Sequence, residues 1–112
     1  MCELEKEIIE LGAIDAPIDG LRINDWFDTV KITFTRNGGL GKAACTFKKC
    51  FDISFKHDEN YTKRINDDGN PDYKYYIQNI EIKKDEALYC FTISAWPLEG
   101  KILCEEINIS VE

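Results

Sequence analysis

The chain has 112 residues, of which 44% are hydrophobic and 12% aromatic, and its formal net charge is −7. This length predicts one globular domain over residues 1–112, and the composition is too apolar for a disordered tail and too charged for a membrane protein. Because phosphate binding needs an excess of Lys and Arg, the acidic charge argues against a nucleic-acid partner.

The first predicted element is a short helix over residues 3–11. Leu4, Ile8 and Leu11 recur at helical spacing, and Gly12 follows them as a signal for the end of the helix. Residues 13–20 contain a proline and an Asp-Gly pair, so they are predicted to form a loop.

From residue 28 onward, apolar and polar residues alternate with the period of a β-strand. The predicted strands cover residues 29–36, 43–55, 73–83, 88–96 and 101–111, with turns at 37–39, 84–86 and 97–100. This pattern predicts a mainly β fold: a small antiparallel meander barrel or sandwich of five to six strands with a short N-terminal helix.

The strand over residues 43–55 contains an irregularity. Phe47, Phe51 and Phe55 all fall at odd positions and so share one apolar face of the strand, to which Lys49 is the exception. Lys48-Lys49-Cys50 interrupts this apolar face and predicts a bulge or break in the strand.

The acidic charge lies mainly in the second half of the chain. Residues 1–56 carry 8 basic and 9 acidic side chains, whereas residues 57–112 carry 6 basic and 12 acidic ones. Acidic residues and tyrosines gather around a polar loop over 57–72 and the turn at 84–86, a combination typical of protein-binding surfaces. The candidate partner-binding residues are Asp58, Glu59, Tyr61, Asp67, Asp68, Asp72, Tyr76, Asp85 and Glu86.

The sequence contains no recognised catalytic motif, so no catalytic residue and no cofactor are predicted. The single histidine, His57, is interpreted as a surface residue at the edge of the polar loop. Of the five cysteines, Cys45, Cys90 and Cys104 are predicted to be small buried residues of strands. No spacing typical of a metal site occurs, although weak cation binding by the acidic loop over 66–72 stays open.

Residues 1–7 lack the basic and apolar regions of a signal peptide. Nowhere does the chain contain the run of about 20 apolar residues that a membrane helix needs. We therefore expect a cytoplasmic protein without a membrane partner.

A small, acidic, β-rich chain without catalytic motifs is similar in type to bacterial immunity proteins, which neutralise toxins. The resemblance implies a protein partner with a basic surface, such as the active site of a nuclease. We therefore expect a non-catalytic domain that presents an acidic, tyrosine-rich surface. Two alternatives stay open: a small-molecule-binding or enzymatic β-barrel with a pocket near residues 57–61, and a homo-oligomeric structural domain that pairs an edge strand, with the final strand as candidate.

Overall fold

The structure is a computed structural model that describes residues 3–58, 68 and 75–111. Its elements, in chain order, are α1 (Glu3–Glu10), β1 (Ile18–Ile23), β2 (Thr29–Thr35), β3 (Lys42–His57), β4 (Asn79–Asp85), β5 (Leu88–Ala95) and β6 (Leu98–Val111). The mainly β, antiparallel fold with a short N-terminal helix is thereby confirmed.

The six strands form one sheet in the order β1-β2-β3-β6-β5-β4. Strands β1 to β3 are successive antiparallel neighbours, and so are β4 to β6. The long ladder between β3 and β6 joins these two three-stranded meanders. The predicted meander therefore describes each half of the sheet, while the contact between the halves pairs strands that lie far apart in the sequence.

The predicted irregularity in β3 is confirmed. The register of β3 on β6 shifts between Cys50 and Asp52, and Lys49 adopts a positive φ of 56°. Phe51 lies between Cys50 and Asp52, whose partners Cys104 and Leu103 are adjacent on β6, so it is the extra residue of the bulge. It is exposed, whereas Ile53 and Phe55 beyond it pack against the core, so the placement of Phe51 on the same apolar face as Phe47 and Phe55 was wrong.

The core lies inside the curved sheet. The rings of Phe47 on β3 and Phe91 on β5 pack with their centroids 4.5 Å apart, although these two strands are not neighbours. The inner faces of the two halves must therefore meet. Phe34, Ile77 and Ile102 are also among the largest fully buried side chains.

Helix α1 packs against β4. Its Ile8 is fully buried, and Glu5 is buried beside it. The Oε1 atom of Glu5 accepts a hydrogen bond of 2.7 Å from the backbone N–H of Ile82 on β4. A helix over the outer strand satisfies a backbone donor that would otherwise form part of an exposed sheet edge.

Strand pairing begins earlier than the sequence predicted. The N–H of Ile18 donates to the carbonyl of Tyr75 over 2.8 Å, and Pro17 and Tyr76 form an isolated antiparallel bridge. The predicted loop over residues 13–20 was therefore wrong for residues 18–20, which belong to β1. The register of β1 on β2 shifts between Ile18 and Gly20, so the Asp-Gly pair lies within an irregular strand.

Strand β6 begins at Leu98, where a turn was expected. Its residues 98–104 lie between β3 and β5, whereas 106–111 pair with β3 alone among the described residues. The prediction that the final strand forms a sheet edge is wrong for its first half, because β5 pairs with it there.

Candidate protein-binding surface

The structure describes five of the nine candidate partner-binding residues: Asp58, Asp68, Tyr76, Asp85 and Glu86. Glu59, Tyr61, Asp67 and Asp72 lie outside the described residues. Asp68 is exposed in a turn. The other four described residues occupy two separate places on the sheet.

One place is the tyrosine end, which we define as His57, Asp58, Tyr75, Tyr76 and Trp96. The indole Nε1–H of Trp96 donates to Oδ2 of Asp58 over 2.9 Å. Asp58 is further held because its backbone N–H donates to the carbonyl of Pro97 over 2.8 Å. These two bonds join the end of β3 to the turn between β5 and β6.

His57 and Tyr75 form the second contact at the tyrosine end. Their rings meet edge to face with centroids 5.9 Å apart, and Nε2 of His57 lies 3.2 Å from the Tyr75 hydroxyl. Nδ1 of His57 lies 3.2 Å from the carbonyl oxygen of Asp58. A carbonyl can only accept, so Nδ1 of His57 is the donor in the contact with Asp58. Tyr76 is 43% exposed and Trp96 45%, which leaves part of each ring accessible.

Asp85 and Glu86 lie at the opposite end of the β4–β5 hairpin. Asn79 pairs with Ser94 near the tyrosine end, whereas Asp85 pairs with Leu88 at the hairpin turn. Six residues of β-strand span about 20 Å. The structure thus places the candidate residues of the 84–86 turn well away from Asp58 and Tyr76.

The structure shows a third exposed surface, which was not predicted from the sequence. We call it the aromatic corner and define it as Trp26, Phe27 and Phe51, which are 86%, 71% and 65% exposed. Trp26 and Phe27 lie in the connection between β1 and β2, and Phe51 lies at the bulge of β3. The signal that could have found Phe51 is the Lys48-Lys49-Cys50 interruption, because it predicts a bulge, and the extra residue of a bulge does not follow the alternation of its strand.

The buried cysteines Cys45 and Cys104 offer little chemistry to a substrate. Cys45, Cys50 and Cys104 are buried free thiols, whereas Cys90 is only partly buried, so the prediction that Cys90 is a buried residue was wrong. Burial raises the pKa of Cys45 to about 12. Burial, followed by the nearby Cys50 thiol, raises the pKa of Cys104 to about 12. Thiols with raised pKa values are poor nucleophiles at neutral pH because little thiolate is present.

Residues 3–58, 68 and 75–111 contain no group of three or more His, Cys, Asp or Glu side chains arranged to hold a metal ion. Within the same residues, no helix is long and apolar enough to cross a membrane. The open question of a cation on the acidic loop falls mainly on residues outside the described part.

Comparisons with known proteins place this geometry in context. A family model described as "Immunity protein PIM7" matches residues 1–111. No curated protein matches the chain significantly. Among solved structures, the chain is similar to the crystal structure of an uncharacterized protein from Neisseria gonorrhoeae, with a TM-score of 0.65 and 16% identity over 86% of this chain and 90% of that chain. At that identity, the likeness shows a shared fold alone.

Proposed function

The chain belongs to the PIM7 family of immunity proteins, and from that premise we propose that it binds a protein toxin in the cytoplasm and neutralises it without catalysis. The single observation that carries this proposal is the match over residues 1–111, nearly the whole chain.

The proposed toxin presents a basic surface. The chain carries a net charge of −7, and opposite charges on two partners raise the association rate and suppress wrong pairings. The proposed binding residues are those singled out from the sequence, of which Asp85 and Glu86 are exposed at a hairpin turn. Tyr76 adds a partly exposed ring at the tyrosine end, and aromatic side chains often carry much of the energy of an interface.

Co-expression tests the function directly. Candidate toxins from the source organism are each expressed in a bacterial host with and without the chain, and growth and complex formation are measured. Rescue of growth together with a purified complex supports the proposal. If the chain neither rescues growth nor binds any of these toxins, the proposal is wrong.

Charge reversal tests the acidic surface. Replacing Asp67, Asp68, Asp85 and Glu86 by lysine should lower the association rate and flatten its dependence on salt. A matched control reverses four other acidic residues, on and just after α1: Glu3, Glu7, Glu10 and Asp15. Equal binding by the two variants would contradict the acidic surface while leaving toxin neutralisation intact.

The two alternatives remain predictions. A small-molecule barrel requires a ligand pocket near residues 57–61, a segment that is largely outside the described residues. Homo-oligomerisation through an edge strand has residues 106–111 of β6 as its candidate, and light scattering of the purified chain tests it by molar mass.

A further inference from the structure

The aromatic corner exposes more apolar ring surface than folding alone accounts for. Phe27 and Phe51 have no polar atom to direct toward water, yet both are mostly exposed. Exposed apolar patches bordered by polar groups often mark surfaces that bind another protein.

The loop that carries Trp26 and Phe27 is held in one conformation by hydrogen bonds. Oδ1 of Asn24 accepts from the backbone N–H groups of Asp28 and Thr29, both over 3.0 Å. Nδ2 of Asn24 donates to Oδ1 of Asp28 over 2.7 Å. A loop ordered before binding loses less conformational entropy when a partner docks.

Phe27 occupies a costly backbone conformation within this loop. Its φ is +57°, a region that residues with large side chains rarely adopt. Its N–H donates to the carbonyl of Asn24 over 3.1 Å, which helps to hold the turn. Backbone strain of this kind tends to persist at binding and catalytic sites, where the presented side chain has a use.

The bulge of β3 brings Phe51 to the same corner. The backbone N–H of Cys50 donates to the carbonyl of Asp28 over 2.9 Å, so the loop is tied to the strand next to Phe51. Lys49, two residues before Phe51, has a positive φ, which marks the change in the direction of the strand. Two irregular backbone segments thus converge on three exposed rings.

An open cavity of about 500 Å³ adjoins Phe51. Its lining contains Phe51, Ala87, Leu88 and Leu103 together with three carboxylates, those of Asp85, Glu86 and Glu105. No lysine or arginine of the described residues lines it. The cavity therefore combines apolar walls with a negative rim.

We propose that the aromatic corner and this adjoining cavity are the toxin-docking surface, and that the cavity receives an arginine side chain of the toxin. The inference rests on the proposed function. The aliphatic part of an arginine would pack on Leu88 and Leu103, while its guanidinium meets the carboxylates and the face of Phe51. Arginine is frequent among the residues that dominate binding energy, and its guanidinium suits carboxylates and aromatic rings better than the ammonium of lysine.

Charge complementarity favours this occupant over a second copy of the chain. Two copies with a net charge of −7 each would bring the carboxylates of Asp85, Glu86 and Glu105 near like charges. Like charges placed together oppose association, whereas a basic toxin neutralises them.

Calorimetric titration with the toxin that the wild-type chain neutralises tests the docking surface. Trp26→Ser, Phe27→Asn and Phe51→Ser should each raise Kd roughly 30-fold, as expected for residues at the centre of an interface. Leu40→Ser and Val111→Ser, at exposed apolar positions away from the corner, should change Kd less than about threefold. Circular dichroism establishes that every variant is folded.

A double-mutant cycle tests the occupant. Each exposed arginine of the toxin is replaced by lysine and titrated against the wild-type chain and Phe51→Ser. Replacing one of these arginines should weaken binding to the wild-type chain but weaken binding to Phe51→Ser much less, because that arginine and Phe51 interact. If no arginine couples to Phe51, the arginine assignment is wrong.

The remaining outcomes separate the two proposals. Tight toxin binding by wild type and corner variants alike overturns the docking surface and leaves the proposed function standing. Absence of any toxin binding by the wild type overturns the proposed function, and the docking surface with it. A wild-type dimer that the corner variants convert to a monomer, with toxin binding unchanged, assigns the corner to a second copy and overturns the inference.

Discussion

The tyrosine end and the aromatic corner both expose aromatic rings, but the two regions relate to the fold in opposite ways. At the tyrosine end, the polar groups of Trp96 and Tyr75 bond to Asp58 and His57 and thereby join segments that are distant in the chain. At the corner, Phe27 is presented to solvent from a strained backbone. An exposed ring is therefore informative about binding when no contact of the fold explains its position.

Alkaline pH should have the largest effect on stability. It tests buried thiols, one of which lies beside the aromatic corner. Cys50, next to Phe51, pairs with the fully buried Cys104 on β6. Burial raises the pKa of Cys104 to about 12 and that of Cys45 to about 12, whereas the pKa of a thiol in the unfolded chain is about 8.5. Since unfolding then releases protons, their contribution to stability is complete below about pH 8.5 and is lost as the pH rises toward 12.

Urea unfolding at pH 7, 9 and 10.5 measures this decline, which each titrating thiol should steepen by up to about 1.4 kcal/mol per pH unit. The double variant Cys45→Ala and Cys104→Ala should decline less steeply. Parallel curves for wild type and variant would show that these thiols do not contribute to the pH dependence.

A methyl group added at Gly100 tests the packing of the sheet half that carries the tyrosine end. A Cβ on Gly100 would overlap the ring of Phe55, its partner on β3. Gly100→Ala should lower the free energy of unfolding by about 1–3 kcal/mol, the usual cost of overpacking. Gly20→Ala is the control, because a Cβ there meets nothing within 4 Å. Equal thermal unfolding of the two variants would contradict the close packing.

The two tryptophans allow the sharpest test of the comparison. Trp96→Phe removes the indole donor to Asp58 and should cost about 1 kcal/mol of stability. Trp26→Phe, at a position 86% exposed, should change stability by less than about 0.5 kcal/mol. Chemical denaturation measures both. A larger loss for Trp26 would mean that the corner supports the fold, and the contrast between the regions would disappear.

The smallest expected effect is a gain in stability. Phe27→Asn should raise the free energy of unfolding by up to about 1 kcal/mol, because asparagine tolerates a positive φ better than phenylalanine. Phe27→Leu, which keeps a bulky side chain at that φ, is the control and should give no such gain. Denaturation midpoints measure the difference, and a destabilised Phe27→Asn would show that the ring contributes to folding.

The sequence predicted the local parts of the fold well, because periodicity and turn residues are local signals. The helix at Leu4 and Ile8, the alternation along β2 and the bulge near Lys49 all follow from neighbouring residues. The pairing of β3 with β6 does not, since it joins residues about half the chain apart through contacts that local patterns do not encode.

The candidate surface was harder to predict. The charge count indicated an acidic second half of the chain but not its arrangement in space. The separation of Asp85 from Asp58 follows from the predicted hairpin itself, because its turn must lie at the end opposite its entry. The exposure of Phe51 depends on which residue the bulge leaves unpaired, and the exposure of Phe27 depends on the conformation of a hydrogen-bonded loop. Neither could be predicted from the sequence, because both depend on the three-dimensional structure.

The ladder between β3 and β6 also bears on how the protein is made. Lys42–His57 has its partner strand at Leu98–Val111, so during synthesis β3 leaves the ribosome well before β6 exists. Until then, the nascent chain lacks one of the two neighbours of its longest strand, a state prone to mispairing. Folding that depends on such distant contacts is slow compared with local folding. If the proposed toxin and this chain are translated together, neutralisation by the chain would lag behind its synthesis by its folding time.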